Sequence, residues 1–166
     1  MGKYRISRNI EASIIEYLEE QFKFANWTNV IVEKTFARIY GMQMDENKGQ
    51  SAVCVRCSDT NRKRIEIGTD SVMRSELVLI DVFATSDGQR LDLVDFLGCI
   101  LIKGMPYFEY RTQTNSIMTK IQTGRIRVMN LEDKPVNFGV DKSALEVQDR
   151  YRHLLSLTIS LGVVEE

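Results

Sequence analysis

Two cysteines, Cys54 and Cys57, have the C-x-x-C spacing that occurs in zinc sites and redox pairs. Residues 52–57 are mostly apolar or β-branched, which predicts a strand. Residues three apart in a strand point to opposite faces, so neither one metal ion nor one disulfide would join the two thiols. No second cysteine pair exists, and the only histidine, His153, lies far along the chain. We predict no metal site and two ordinary half-buried cysteines, with Cys99 in the core.

Carboxylates are the next candidates for chemistry. Asp92 and Asp95 lie three apart on a predicted helix, where neighbouring side chains could share Mg²⁺ or a proton. Since no third ligand matches them, we predict a solvated flank of that helix. Asp81 differs because it is an acid inside an otherwise apolar strand, and a buried carboxylate needs a partner. We predict a structural ion pair at a sheet edge, with Arg64 on the neighbouring strand as its partner.

The order of helix, strands and helix also invites comparison with nucleases. Restriction-endonuclease-like enzymes gather Mg²⁺ with an Asp and a Glu-x-Lys on a central hairpin. A Glu-x-Lys occupies residues 132–134, in a segment with a proline that predicts a loop, which is the wrong element for such a site. A metal-dependent nuclease using Asp81, Asp92 or Glu132 with Lys134 is the enzyme alternative.

Other catalytic signatures are missing from the sequence. It contains no phosphate-binding glycine loop, no G-x-S-x-G and no H-E-x-x-H. A Ser-His or Cys-His mechanism would have to use His153, which the pattern places in the terminal strand as a half-exposed residue. We predict that the protein is not an enzyme, has no catalytic residues and binds no cofactor.

Basic residues cluster at two places in the sequence. Arg62, Lys63 and Arg64 are consecutive, and Arg125 lies two residues from Arg127. The stacked aromatic residues of a nucleic-acid platform do not accompany them. The clusters are therefore solvated hairpin charge or partners for acidic surfaces of a neighbouring subunit. These five residues are our candidates for a subunit interface.

The bulk composition is that of one soluble domain spanning residues 1–166. Its 43% hydrophobic and 27% charged residues are ordinary for a soluble globular protein. With 166 residues, the chain is large enough to bury a core without disulfide bonds or structural metal ions. A net charge of −1 gives no electrostatic reason to expect nucleic acid or a membrane surface. No apolar run approaches the roughly 20 residues of a membrane span, and the N-terminus lacks the apolar stretch of a secretory signal. Three cysteines, an odd number, favour a reducing compartment.

Hydrophobic periodicity predicts the first elements. A helix capped by Ser7 or Asn9 runs to Phe24, because apolar residues recur in it at helical spacing. A second helix at residues 87–103 begins with capping-box spacing at 86 and 89. The apolar stripe of the second helix consists of Leu91, Val94, Leu97, Ile100 and Leu101. Strands are predicted at 30–39, 52–57, 63–67 and 76–84, with a hairpin turn at 59–61.

The long strand at 76–84 is apolar on both faces, which predicts a central strand covered on both sides. After the second helix come a short strand at 107–111, two strands at 116–122 and 125–131, and a loop at 132–143. The last strand alternates, with Tyr151, Leu155, Leu157, Ile159 and Leu161 on one face. We predict mobile loops near 41–51 and 110–122. The fold class is α+β, a mainly antiparallel sheet packed by the N-terminal helix and the helix after the central strand.

Several segments, taken in order, carry a family resemblance. RNIEASIIEYL is followed by strands, by RIEIG, by ELVLIDVFATS, by GQRLDLVDFLGCIL and by a late strand. This order resembles the tail-terminator or tail-completion proteins of long-tailed bacteriophages, which sit in the neck between head connector and tail tube. The likeness covers roughly residues 8–110 and the final strand, and no residue role carries over from it.

The resemblance implies a virion structural protein without catalysis. Such proteins form a ring, commonly a hexamer, that ends tail-tube growth and joins the tail to the head connector or stopper protein. The implied location is the virion tail or neck after assembly in the host bacterial cytoplasm, with DNA only as passing cargo and no membrane. Edge strands that pair across subunits would suit this role. A small intracellular module that recruits a peptide with its C-terminal strand is a further alternative.

Overall fold

The computed structural model describes residues 5–42, 44, 48–64, 72–112 and 118–161. A short 3-10 turn, Lys142–Ala144, precedes the last helix. The main elements in chain order are α1 (Ile6–Phe24), β1 (Val30–Glu33), α2 (Phe36–Tyr40), β2 (Ser51–Arg64), β3 (Val72–Ala84), α3 (Asp87–Leu101), β4 (Met105–Thr112), β5 (Met118–Pro135), α4 (Val147–Arg150) and β6 (Tyr151–Leu161).

The six strands form one sheet in the order β1-β2-β3-β6-β5-β4. Only β1 and β2 are parallel, and the other neighbours are antiparallel. Alternation in β6 is as predicted, since Leu155, Leu157 and Ile159 are buried. The predicted α+β fold with a mainly antiparallel sheet is confirmed.

Helices α1 and α3 cover one face of this sheet and build the main core. Apolar side chains of α1 and α3 meet Val78, Ile80 and Val82 of β3. On the other face, which we call the open face, the cover seen among the described residues lies at one end, where α2 and Val147 of α4 pack on the cluster around Phe83. Leu77 and Leu79 of β3 point to the open face and are half-buried. Strand β3 is central as predicted, and the described residues cover its second face in part.

On the face that it covers, helix α1 contacts β1 and β2 near one edge of the sheet and β4 at the other edge. The helix begins at Ile6 without a side-chain cap, so the predicted caps Ser7 and Asn9 are wrong. Both side chains are used for tertiary contacts instead. The Ser7 hydroxyl donates to Glu76 of β3, and the Asn9 amide donates to the hydroxyl of Tyr107 at 3.4 Å.

Several predicted strand boundaries are wrong because sheet pairing overrides local turn preference. The segment 30–39 divides into strand β1 and helix α2. Residues 59–61, predicted as a turn, lie within β2, and the strand has a bulge there, between Cys57 and Thr60. Of the predicted strand at 63–67, residues 65–67 lie outside the described residues.

The later strands also differ from prediction. One strand, β5, runs through the predicted turn at 123–124 and includes the first part of the predicted loop at 132–143. The described ends of the predicted loop at 110–122 belong to β4 and β5, and residues 113–117 lie outside the described residues. Residues 43 and 45–47 of the predicted loop at 41–51 also lie outside the described residues.

Helix α3 begins as predicted, because the Ser86 hydroxyl accepts the Gln89 N–H at 3.2 Å. Its inward stripe contains Leu93, whereas Leu91 is 48% exposed. Cys99 is exposed, so its predicted place in the core is wrong. After the helix, Gly104 has a φ of +78°, and a Cβ there would lie 2.7 Å from the Ile126 carbonyl oxygen. Only glycine suits both conditions, which fixes where the chain turns into β4.

Candidate assembly surfaces

Two β-hairpins extend past their neighbouring strands, and we call them the first and second arms. The first arm consists of residues 58–64 of β2 and 72–76 of β3. Since β1 ends opposite Cys54, the last described pair of this arm, Arg64 and Val72, lies about 30 Å beyond β1 at about 3.3 Å per residue. The second arm consists of residues 107–112 of β4 and 118–125 of β5, and it extends past the end of β6.

A buried ionic network holds the base of the first arm against α1. Glu76 accepts hydrogen bonds from the Arg74 guanidinium, from the Ser7 hydroxyl, and from Thr60 Oγ1 at 3.0 Å. Arg74 also donates to Ser7 Oγ at 2.6 Å. Since Arg74 and Glu76 are both buried, their opposite charges compensate each other in place of water. The arm is therefore fixed at its base by the first turn of α1.

The C-x-x-C thiols lie on opposite faces of β2, as predicted. Cys57 packs beside α1, where its N–H donates to Glu11 Oε2 at 3.2 Å, and burial together with Glu76 raises the pKa of its thiol to about 12. Cys54 is buried on the other face, and burial and Asp81 raise the pKa of its thiol to about 11. Within the described part of the chain, no three His, Cys, Asp or Glu side chains are grouped as metal ligands.

The second arm lies against the middle of α1. The Phe108 N–H donates to Ser13 Oγ at 2.9 Å, and the Tyr110 hydroxyl donates to Glu16 Oε2 at 2.6 Å. Lys120 forms an ion pair with the same Glu16. Burial acts to raise the pKa of Glu16, but the hydrogen bonds from Lys120 and Tyr110 outweigh it, and the pKa is lowered. These contacts hold β4, the last strand of the described sheet, against α1.

Asp81 is a buried carboxylate in the middle of the sheet, at 1% exposure. Its Oδ1 accepts from Arg152 Nη2 at 2.8 Å, and its Oδ2 accepts from Arg56 Nε at 3.3 Å. The predicted ion pair is therefore present, but the predicted partner, Arg64, is wrong. The prediction of a sheet edge is also wrong, because β3 lies between β2 and β6. The partners come from the two flanking strands, which sequence spacing does not reveal.

The guanidinium of Arg152 also connects the open face to α2 and α4. Its central carbon lies 4.9 Å from the ring centroid of Phe36 and 5.0 Å from that of Phe83. Burial acts to lower the pKa of Arg152, but its hydrogen bonds with Asp81 outweigh this, and the pKa is raised. The Tyr40 hydroxyl donates to Asp149, and burial and this bond raise the pKa of Tyr40 to about 12. This cluster attaches both short helices to the sheet.

His153 is 4% exposed, so its predicted half-exposed position is wrong. Its Nδ1 lies 2.7 Å from Arg90 Nη1, and its Nε2 lies 2.8 Å from Asp133 Oδ1. Arginine only donates hydrogen bonds, so Nδ1 must accept and the proton of the neutral ring must be on Nε2. The ring links α3, β6 and β5, and neither partner is a hydroxyl or a thiol.

The carboxylates and lysine of the nuclease alternative lie on separate parts of the fold. Asp92 and Asp95 are exposed on α3, as predicted for a solvated flank. Glu132 and Lys134 are exposed on β5, which is strand rather than the predicted loop. Strand β6 separates Asp81 from Lys134, so their backbones lie two strand spacings, about 10 Å, apart.

The predicted interface residues occupy two separate places on the sheet. Arg62 and Lys63 are exposed on the first arm, and the backbone of Arg64 ends β2, while its side chain lies outside the described residues. Arg125 is exposed on β5 and donates to the Lys103 carbonyl oxygen at 2.7 Å, whereas Arg127 lies opposite Ser160. Strands β3 and β6 separate the two groups, so they do not form one patch.

Sequence reasoning missed a groove of about 640 Å³ between the end of α1 and β1. Its lining carries the carboxylates Glu19 and Glu33 and the ammonium of Lys23, and Glu33 forms an ion pair with Arg38 at 3.4 Å. The pKa of Glu19 is raised by burial and by repulsion from Glu16 and Glu33. We call this feature the β1 groove, and its apolar lining includes Phe22, Trp27, Val30 and Val32. The lining residues come from α1, from the connection after it and from β1, and no regular sequence spacing predicts that they line one groove.

A loop at residues 136–142, which we call the β5 loop, leaves the sheet at the opposite edge. Phe138 is 42% exposed and Val140 is 56% exposed, on either side of Gly139. The Gly139 N–H donates to Asn137 Oδ1 at 2.8 Å, and the φ of Gly139 is +71°, which holds a tight turn. The loop therefore leaves two apolar side chains partly exposed, and the Phe138 ring lies 6.0 Å from the central carbon of the Arg152 guanidinium.

Comparisons with protein-family models and with curated proteins give no match for this chain. Among the helices in the described part of the chain, none is both long enough and apolar enough to cross a membrane. The surfaces described above are thus the basis for an inference about function.

Proposed function

We propose that this protein is a ring-forming structural subunit of the tail-terminator kind, located in the neck of a long-tailed bacteriophage. Its ring, with six copies expected, would end tail-tube growth and join the tube to the head connector, with DNA passing through the centre. Assembly would take place in the host bacterial cytoplasm. The proposal depends mainly on one observation. At each edge of the described sheet, the outer strand pairs with only part of the strand beside it.

Each side of the sheet has a strand that its outer neighbour covers only in part. Strand β1 pairs with β2 only as far as Cys54, and β4 pairs with β5 only between Met118 and Ile126. Among the described strands, residues 58–64 of β2 and 127–135 of β5 therefore have a neighbour on one side only. Unpaired strand edges are surfaces that another chain can extend.

The directions of these two edges suit a repeated contact between copies. Three antiparallel pairings separate β2 from β5, so the two strands run in opposite directions. A second copy placed beside the first in the same orientation would bring its β5 antiparallel to β2. Such a contact joins two different surfaces, so it repeats from copy to copy and closes into a ring when the rotation allows.

Both edges also carry features that oppose indiscriminate pairing. A bulge interrupts β2 between Cys57 and Thr60, and another interrupts β5 between Val128 and Asn130. Bulges bend an edge strand and disturb its ladder, so they disfavour pairing with an unrelated flat strand. A partner of matching shape, such as the same chain, is favoured.

The oligomeric state of the purified chain tests the proposal. Sedimentation velocity and native mass spectrometry should show one closed species of about six copies, and electron micrographs should show rings. The same measurements should be made after mixing with connector and tail-tube subunits. A species that stays monomeric in all these mixtures would contradict the proposal. Mg²⁺-dependent DNA cleavage that is lost in Asp81→Ala would instead support the nuclease alternative.

A further inference from the structure

We infer that helix α1 of one copy packs antiparallel against α1 of a second copy, along a stripe formed by Arg5, Arg8, Ala12, Glu16 and Glu19. The contact goes beyond the proposed function, because it joins two identical surfaces, whereas the sheet edges join two different ones. The inference follows from the order of charges along the helix and from the small residue at the centre of the stripe.

The stripe lies on one side of α1 and is open to solvent. Its members are three or four residues apart, which places them on one face of the helix. They line an open depression of about 420 Å³ in which longer side chains surround the half-buried Ala12 and the buried Ile15. The lining continues to Tyr110 and Met118 of the second arm and to Lys34 after β1. The depression has room for side chains of a partner.

The charges of α1 oppose its helix dipole. Arg5 and Arg8 lie at the amino end, where the dipole disfavours cations, and the first turn has no acidic residue. Within the described part of the chain, no hydrogen bond or ion pair engages either guanidinium. Glu19 lies in the carboxyl-terminal half, where burial and repulsion from Glu16 and Glu33 raise its pKa. Each end of the stripe therefore carries a charge that a partner of opposite sign would stabilise.

The stripe is its own complement about Ala12. Arg5 and Glu19 are each seven residues from Ala12, and Arg8 and Glu16 are each four residues from it. In an antiparallel pair with its two-fold axis at Ala12, Arg5 thus faces Glu19 of the second copy, and Arg8 faces its Glu16. The two small Ala12 side chains permit the helix axes to approach to about 8–10 Å. The arginine stems would fill the depressions beside Ala12, with their charged heads at the carboxylates.

Two further cations lie near the stripe. Lys120 forms an ion pair with Glu16, so Arg8 would share that carboxylate with it. Lys34 is exposed, and its flexible side chain can turn to solvent. The pair between Arg5 and Glu19 therefore contributes most of the attraction.

Charge reversal tests the contact. Arg5→Glu and Glu19→Arg should each raise the dissociation constant of the α1-mediated dimer by about tenfold or more, because each places like charges opposite each other. An equimolar mixture of the two variants should associate within about threefold of wild type, because each supplies the charge that the other lacks. Sedimentation equilibrium gives the constants. Glu20→Arg and Lys103→Glu change exposed charges outside the lining and should associate like wild type.

Loss of folding would not explain a weaker contact. Both reversals bring α1 into agreement with its dipole, so neither should lower the free energy of unfolding, which urea unfolding followed by circular dichroism checks.

A cross-link tests the position of the axis. Ala12→Cys/Cys99→Ser has one exposed thiol, at the axis, because Cys54 is buried and the pKa of the Cys57 thiol is raised to about 12. Mild oxidation should join two copies of this variant by a disulfide. Glu20→Cys/Cys99→Ser, with its thiol on α1 outside the lining, should give little cross-linked dimer.

The outcomes separate this inference from the proposed function. If rings form but both reversals associate like wild type and the Ala12→Cys variant does not cross-link, the inference is wrong and the ring proposal stands. If wild type forms only the dimer through α1, even with connector and tube subunits, the ring proposal fails and the inference stands. If Arg5→Glu leaves self-association unchanged but abolishes binding of those subunits, the stripe belongs to another protein, and the inference is overturned.

Discussion

Asp81 and Arg152 form an ion pair in which the carboxylate is almost completely removed from water. Arg152 Nη2 lies 2.8 Å from Asp81 Oδ1, and the side chain of Asp81 is 2% exposed. Arg56 binds the other carboxylate oxygen, so Asp81 connects its strand to both neighbours. Because Arg152 also contacts the rings of Phe36 and Phe83, one guanidinium unites the sheet with α2.

Arg152→Leu should strongly destabilise the protein, because it leaves the buried Asp81 carboxylate with Arg56 alone. Removal of one partner from a buried pair typically costs about 3–5 kcal/mol, and we expect the lower part of that range because Arg56 remains. Urea unfolding followed by circular dichroism measures the change.

Arg127→Leu is the matched control, since Arg127 is exposed on β5, and it should change the free energy of unfolding by less than about 0.5 kcal/mol. Asp81→Leu/Arg152→Leu should recover much of the loss, because no charge of the pair then stays buried. Equal stability of wild type and Arg152→Leu would show that the pair does not stabilise the fold.

The three cysteines should differ sharply in reactivity. Cys99 is exposed, whereas Cys54 is buried and the thiol pKa values of Cys54 and Cys57 are raised to about 11 and about 12. The thiolate is the reactive form, and a pKa of 12 leaves only about one thiol in 10⁴ ionised at pH 8. Iodoacetamide should therefore modify one site in the native protein and three in urea, counted by mass spectrometry. Cys99→Ser should remove the native reaction, and fast native labelling of Cys57 would contradict its described environment.

The single histidine allows a direct test of its hydrogen bonds. In the neutral ring of His153, the proton should be on Nε2, because Arg90 donates to Nδ1. Nitrogen-15 spectra at pH 8 should show a protonated Nε2 and an unprotonated Nδ1. Asp133→Ala should lower the free energy of unfolding by about 1 kcal/mol, because it removes the acceptor of the Nε2 proton. Glu132→Ala, at the exposed neighbouring position, should have little effect. The reverse tautomer would show that Arg90 does not bind the ring.

Ser13→Ala should loosen the second arm from α1. Ser13 Oγ accepts the Phe108 N–H at 2.9 Å in a buried position, and an unpaired buried donor costs about 1–3 kcal/mol. Hydrogen exchange at the Phe108 amide should become faster. Exchange of the β3 amides should change only as much as the free energy of global unfolding changes. Ser156→Ala, on the half-buried open face, is the control. Unchanged exchange at Phe108 would mean that another group satisfies its N–H.

The ion pair between Lys120 and Glu16 should make stability depend on pH. The pKa of Glu16 is lowered in the fold, so its contribution is present above its ordinary value of 4.5 and is lost as the pH falls through the lowered pKa. Lys120→Met should therefore reduce the free energy of unfolding at pH 7, by about 0.5 kcal/mol for such a half-exposed pair. At low pH, where Glu16 is protonated in both proteins, the difference should vanish. An equal difference at both pH values would exclude this pair as its origin.

Sequence alone determined the features that depend on local periodicity. Repeating apolar residues predicted α1, α3, the central strand and the buried face of β6, and the structure confirms them because a side chain's face follows from its position in a regular element. The Ser86 cap and the opposite faces of Cys54 and Cys57 followed from the same local geometry. The α+β class followed from the order of these elements.

Only the tertiary structure decided which strands are neighbours. The wrong prediction of the partner of Asp81 and the wrong prediction of the exposure of His153 both follow from that. Local spacing favoured Arg64 for Asp81, but strand order places Arg152, 71 residues away, beside it. The same order buries His153 between Arg90 and Asp133, and it ends one row of the sheet with Glu33 and Lys134. Pairing of distant strands is set by the balance of packing and hydrogen bonding over the whole sheet, which no short window of sequence contains.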